Sequence, residues 1–127
     1  MLDMTTDFER LVGQILTQHK EFFPKATIST QMEKLSEEMS EFLKATSILD
    51  REDEGGDVLY VIISLLRFPE IKSVTDFLLY TFYYSKEPKI KENLNRILKR
   101  TAQKVEDRYN KGAYKWTGSK YEREKNA

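Results

Sequence analysis

Two short stretches, Lys34-Leu35-Ser36-Glu37-Glu38-Met39-Ser40-Glu41 and Glu54-Gly55-Gly56-Asp57, decide how this chain reads. Glu38 and Glu41 are three positions apart, and so are Glu54 and Asp57. Residues at that spacing share one face of a helix. Two such helices laid side by side pool four carboxylates in a small volume. Like charges that close repel, so a folded chain keeps the cluster only where a cation or a proton neutralises it. Hard oxygen ligands of this kind suit magnesium or manganese.

The flanking residues predict the helices that carry the acids. Ser29 and Thr30 are suitable N-caps, and Met32, Leu35, Met39, Phe42 and Leu43 repeat at helical spacing up to about Ser47. Glu37, Glu38 and Glu41 fall within an arc of about 100° on the other side, with Lys34 inside it. A further helix is predicted from Asp53 to Phe68, stopped by Pro69. It is apolar nearly all round, so it is buried by neighbours or by a partner subunit. Glu54 heads the row Val58, Val61, Leu65 at i+4, i+7 and i+11. An acid topping a buried stripe is not an ordinary solvated glutamate.

The rest of the chain is patterned for helices as well. Phe8, Leu11, Val12, Ile15 and Leu16 predict a first helix from Thr6 to Glu21, with Pro24 in the turn that follows. Ser73-Val-Thr-Asp76 reads as a capping box for a helix reaching Tyr84. The aromatic residues there also suit a strand, but no second strand is evident to pair with it. A last helix is predicted from Pro88, a good first-turn residue, to Gly112. Arg96, Arg100, Lys104 and Arg108 form a row at i+4 spacing along it. The chain therefore reads as one helical domain over residues 1–112 and a polar tail over 113–127. The tail carries Tyr114, Trp116 and Tyr121 and is expected to be partly disordered, or ordered only on binding or dimerisation.

Composition narrows the function classes. Lysine and arginine number 21, as do aspartate and glutamate, so net charge leaves no footprint for a nucleic-acid polymer, which is not expected as a partner. The acids concentrate between Glu33 and Asp57 and the bases after Lys86, so the two could meet across a metal-bound phosphate. Absence of cysteine excludes disulfides and thiolate metal sites. The longest nearly apolar run, Val58 to Leu66, falls far short of the ~20 residues that span a bilayer. Met1-Leu-Asp-Met-Thr-Thr-Asp7 has no basic or apolar leader character, so a cytoplasmic protein with no membrane partner is expected. One histidine, outside both acidic segments, cannot supply the paired Glu-x-x-His of a di-iron bundle.

The adjacent glutamates Glu37 and Glu38, Glu41 three positions after Glu38, the later Glu54-x-x-Asp57 pair, the preceding Lys34 and the apolar run after Asp57 together resemble the MazG-like all-α nucleotide pyrophosphohydrolases. The similarity covers residues 8–110. It implies an all-α bundle of four or five helices. It also implies hydrolysis of a nucleoside triphosphate, NTP or dNTP, to the monophosphate and pyrophosphate, with magnesium or manganese. Glu38, Glu41, Glu54 and Asp57 are then the metal ligands, and Glu37 or Glu41 holds the attacking water. Lys34, Lys104 and Arg108 are the candidate phosphate contacts. Trp116, Tyr114, Tyr109 and Phe8 are candidates to stack on the base. Gly55 stands where many relatives carry a larger apolar residue, which predicts a looser start to the third helix.

The apolar third helix and the aromatic 74–84 segment expose too much for a monomer, so a homodimer or a dimer of dimers is expected. Two other readings stay open. One is a phosphoribosyl-ATP pyrophosphohydrolase, which shares the carboxylate arrangement. The other is a non-catalytic helical dimerisation or regulatory module.

Overall fold

The computed structural model describes residues 7–124. The predicted helix start at Thr6 and the reading of the first residues as leaderless lie outside them. The amphipathic stripe at the N-terminus folds as α1 (Asp7–Phe22), which buries Phe8, Leu11, Val12 and Ile15. α2 (Ile28–Lys44) follows, and α3 (Ile48–Ser64) runs on into a 3-10 turn, Leu65–Arg67. α4 (Pro69–Tyr84) and α5 (Pro88–Asn110) each begin with proline at the first turn, where its missing N–H costs nothing. The chain closes with β1 (Tyr114–Trp116) and β2 (Tyr121–Arg123), an antiparallel pair with Trp116 opposite Tyr121.

Helix boundaries differ from the sequence reading where capping chemistry decides them. Thr27, not Ser29 or Thr30, caps α2: its hydroxyl accepts from Thr30 N at 3.1 Å, and Thr30 Oγ1 accepts from Thr27 N at 2.8 Å. That reciprocal pair satisfies two otherwise orphaned donors. Ser47 caps α3 by accepting from Asp50 N at 3.0 Å, so α3 starts five residues before the predicted Asp53. The connection between α2 and α3 shrinks to residues 45–47, which obliges the two helices to run antiparallel. Glu54 consequently lies inside α3 instead of heading it. Pro69, not Ser73, opens α4, and the alternative reading of that segment as a strand does not hold.

The core lies between α1, α3, α4 and α5, around the fully buried Phe8, Ile15, Ile63 and Leu98. Phe8 stacks on Tyr83 with ring centroids 3.8 Å apart, and Tyr109 stacks on Phe22 at 3.9 Å. Phe8 is therefore committed to the core, while Tyr109 stays partly exposed outside the acidic cleft's lining. Gly56 is where α3 and α5 touch: a Cβ there would lie 2.2 Å from Thr101 Oγ1 and 2.9 Å from Ile97 Cγ2.

The tail departs most from expectation. Gly112, at φ +72°, ends α5 and turns the chain back. Thr117 and Lys120 close the hairpin loop through a 2.8 Å backbone bond, with Gly118 at φ +104° between them. Tyr121 Oη accepts from Lys25 N at 3.1 Å, and the rings of Tyr114 and Tyr121 pack edge-on against Phe23 at 4.8 and 5.2 Å. The tail is thus a docked hairpin, held by an aromatic partner some ninety positions earlier in the chain. The fold is mostly helical, five α-helices among the described residues as the bundle reading expected, with one small two-stranded sheet added by the tail.

α2 buries a single residue, the polar Gln31. Its apolar stripe instead borders an open groove shared with α3 and α4, about 870 Å³, whose walls include Met39, Phe42, Leu59, Ile62 and Leu78. On the same three helices Leu43 of α2, Ile48 and Leu49 of α3, and Phe77 and Leu78 of α4 are each more than 60% exposed. No helix among the described residues is long and apolar enough to cross a membrane.

Candidate metal centre

Opposite the apolar groove, α2 and α3 turn their acidic faces into a second cleft of about 650 Å³. One carboxylate oxygen from each of Glu38, Glu54 and Asp57 lies within 4.8 Å of the others, and all three residues are half-buried. Register produces this meeting. Gln31 of α2 donates through Nε2 to Ser64 Oγ of α3 at 2.7 Å. Seven positions, about two turns, up α2 from Gln31 stands Glu38. Seven positions back along α3 from Ser64 stands Asp57. The buried amide–hydroxyl bond and the acidic cluster therefore share one antiparallel alignment.

The electrostatics bear out an acid on a buried stripe. Val58, Val61 and Leu65, the row below Glu54, are all buried. Burial raises the Glu54 pKa above its ordinary 4.5, and the charges of Asp57, Glu38, Asp53 and Glu41 push it the same way. Glu37 and Glu41 are exposed and line the same cleft. Three of the four predicted ligands converge, and Glu41 contributes charge from the wall. A donor set made entirely of carboxylate oxygens, close enough together to raise the Glu54 pKa, fits a hard divalent cation such as magnesium or manganese.

Two lysines neutralise part of the cluster. Lys34 Nζ pairs with Glu38 at 3.2 Å, and Lys104 Nζ lies 2.8 Å from Asp57 and 3.2 Å from Asp53. Arg96 and Arg100, earlier on the basic row of α5, bind Glu52 at 3.1 and 3.9 Å and tie α5 to α3 outside the cleft lining. Arg108 lines the cleft and makes no ion pair among the described residues. It lies beside the Tyr114 phenol, whose pKa is raised by burial against the opposing pull of Arg108 and Arg123.

Trp116 is not brought to the cleft. Its ring packs on Tyr121 at 4.9 Å, with Lys25 Nζ 5.7 Å above it. The hairpin supplies other lining residues instead: Tyr114, Lys120, Tyr121 and Arg123. Gln31 and His19 also line the cleft. Sequence reasoning passed over Gln31 because a lone glutamine on a helix carries no periodic signal. Among these, only Tyr114 had been a candidate.

The raised Glu54 pKa has a testable consequence. A carboxyl whose folded pKa exceeds its unfolded one binds protons more tightly when folded, so its ionised form costs stability at neutral pH. The cost fades as pH falls through the raised value. Glu54→Gln is expected to raise the melting temperature of metal-free protein at pH 7. Calorimetric scans should show the gap to wild type closing on acidification. An E54Q protein less stable than wild type at pH 7 would remove the picture of a strained acidic cluster. Searches against family models, curated proteins and solved structures return no match.

Proposed function

We propose that this chain is a metal-dependent nucleoside triphosphate pyrophosphohydrolase of the MazG-like kind, converting an NTP or dNTP to the monophosphate and pyrophosphate. The observation that carries the reading is the convergence of Glu38, Glu54 and Asp57 from two antiparallel helices within 4.8 Å. Magnesium or manganese held there by Glu38, Glu54 and Asp57, with Glu41 beside them, would offset phosphate charge and polarise phosphorus. Glu37 or Glu41, exposed on the cleft wall, accepts a proton from the attacking water. Its oxygen bonds to phosphorus as the α–β anhydride bond breaks and pyrophosphate leaves. Arg108, bonded to the Tyr114 phenol and with no carboxylate partner among the described residues, stands ready for a phosphate oxygen. Lys34 and Lys104 hold the cluster together in the ion-free state and can turn to phosphate once a cation replaces them.

A panel of dNTPs, NTPs and phosphoribosyl-ATP, with pyrophosphate detection and the metal varied, tests this reading. Turnover confined to phosphoribosyl-ATP would move the chain to that sister activity. No turnover with any of them, together with no calorimetric binding of magnesium or manganese, would leave a non-catalytic helical module.

The groove on the opposite face supports an assembly. Apolar patches of this extent on a single domain mark interaction surfaces, and the apolar stripe on α2, which leaves Met39 and Leu43 exposed beside that groove, calls for a second copy. We propose a homodimer or a dimer of dimers built on α2, α3 and α4. Light scattering at micromolar concentration is expected to give twice or four times the chain mass. Leu78→Glu together with Leu43→Glu is expected to reduce it to that of one chain, while a wild-type monomer would exclude the assembly.

A further inference from the structure

The inner end of the acidic cleft holds polar atoms that the fold leaves unused. His19 is 3% and Gln31 is 8% exposed, yet both line the cleft. Arg67 Nη1 approaches His19 Nδ1 at 2.9 Å. A guanidinium can only donate, so Nδ1 accepts and the proton of the neutral ring sits on Nε2. Burial, with the charge of Arg67 adding to it, lowers the His19 pKa to about 3, so the ring is neutral near pH 7. Gln31 is oriented by similar logic. The Ser64 hydroxyl gives its only proton to Val61 O at 2.6 Å, so it accepts from Gln31 Nε2. Gln31 Oε1 is thereby turned away from Ser64. Neither His19 Nε2 nor Gln31 Oε1 has a partner among the described residues. Neither is sealed off, because Asn95 Oδ1 is the one unpartnered side-chain polar atom among them that is shut from solvent.

A fixed donor and a fixed acceptor therefore open onto the cleft, with aromatic rings around them. Tyr60 is tied by its hydroxyl to Gln18 Oε1 at 2.7 Å, which leaves its ring as a wall. Tyr114 and Tyr121 arrive from the hairpin. Gln31 stands about 10 Å along α2 from Glu38, seven residues at the helical rise, a span that a ribose 5′-phosphate bridges. We infer that this end is a nucleobase recess, in which His19 Nε2–H and Gln31 Oε1 read the base edge and the hairpin tyrosines wall its faces. The inference rests on the nucleotide reading above and names the residues that set its base preference. A base whose edge offers an acceptor to His19 and an N–H to Gln31 satisfies both groups. The wrong base leaves one of them buried and unpaired, which is how polar sites discriminate most strongly.

The test is kcat/KM for the four dNTPs with wild type, Gln31→Met and His19→Phe, folding being checked by circular dichroism. Wild type is expected to prefer one base by about tenfold or more, and Q31M to flatten that preference chiefly through KM. If His19→Phe fails to fold because Arg67 loses one of its partners, Q31M carries the test alone. A Q31M enzyme that loses activity equally on all four substrates would reduce Gln31 to a register pin and overturn the inference. Should wild type release pyrophosphate from nothing, the hydrolysis reading falls by itself. Calorimetric affinities for the four nucleoside 5′-monophosphates then decide the recess: the same preference, weakened in Q31M, supports it, and equal or absent binding removes it.

Discussion

Glu38→Gln combined with Asp57→Asn is expected to lower pyrophosphate release by about a thousandfold or more while leaving helical content unchanged. Each substitution keeps side-chain volume and removes one anionic ligand from the set whose oxygens lie within 4.8 Å of each other. A bound cation supplies several kcal/mol of charge stabilisation in a transition state, and about 1.4 kcal/mol is worth tenfold in rate. Losing two of three converging carboxylates should therefore remove most of the catalysis. Helicity should hold because neither group is a structural necessity. Asp57 meets Lys104, which keeps Asp53 as a partner, and among the described residues Glu38 forms its ion pair with Lys34 of its own helix. Initial rates and far-ultraviolet circular dichroism on the same sample check both halves. Near-wild-type turnover would show that the chemistry happens elsewhere.

Gly56→Ala is expected to destabilise the fold by about 3 kcal/mol, at the upper end for overpacking, and to lower the melting temperature by about 10 °C. The added methyl would sit 2.2 Å from Thr101 Oγ1 and 2.9 Å from Ile97 Cγ2. Thr101 cannot easily yield, since it is 2% exposed and its hydroxyl is bonded to Ile97 O at 2.9 Å. The helices would have to part. Lys104, one turn beyond Thr101, would then draw back from Asp57, so loss of stability and damage to the site should appear together. Gly55→Ala is the control. Its Cβ would meet Phe42 Cε1 at 3.4 Å, an ordinary contact, and alanine is the better helix former by up to about 1 kcal/mol. Urea unfolding of the pair separates the positions. Equal tolerance at both would mean that α3 and α5 do not approach this closely.

The two glycines illustrate what periodicity can and cannot reveal. Gly55 was read as the place where the third helix loosens, whereas Gly56 is the one under constraint. Nothing in the local sequence distinguishes them, because the crowding comes from Ile97 and Thr101, more than forty positions away. Helix ends behaved similarly. Thr27 displaced the expected caps Ser29 and Thr30, and Ser47 moved the start of α3, because their hydroxyls reach the third backbone N–H beyond them. Hydrophobic spacing locates a helix but leaves its ends to such bonds.

Local periodicity was sufficient for the number and kind of helices and for the shared face of Glu38 with Glu41 and of Glu54 with Asp57. It also identified the buried stripe beneath Glu54. These properties repeat every three or four residues and are written within a single helix. Tertiary structure alone decided that the acids of α2 and α3 meet, through a register pinned by Gln31 and Ser64. It alone turned the tail into a hairpin lining the cleft, through Tyr121 bonding Lys25 across 96 positions of chain. It also left the apolar stripe of α2 only partly covered, on the wall of an open groove. Contacts between distant segments exist only once the chain has closed, and no pattern within one helix encodes which face its neighbour will choose.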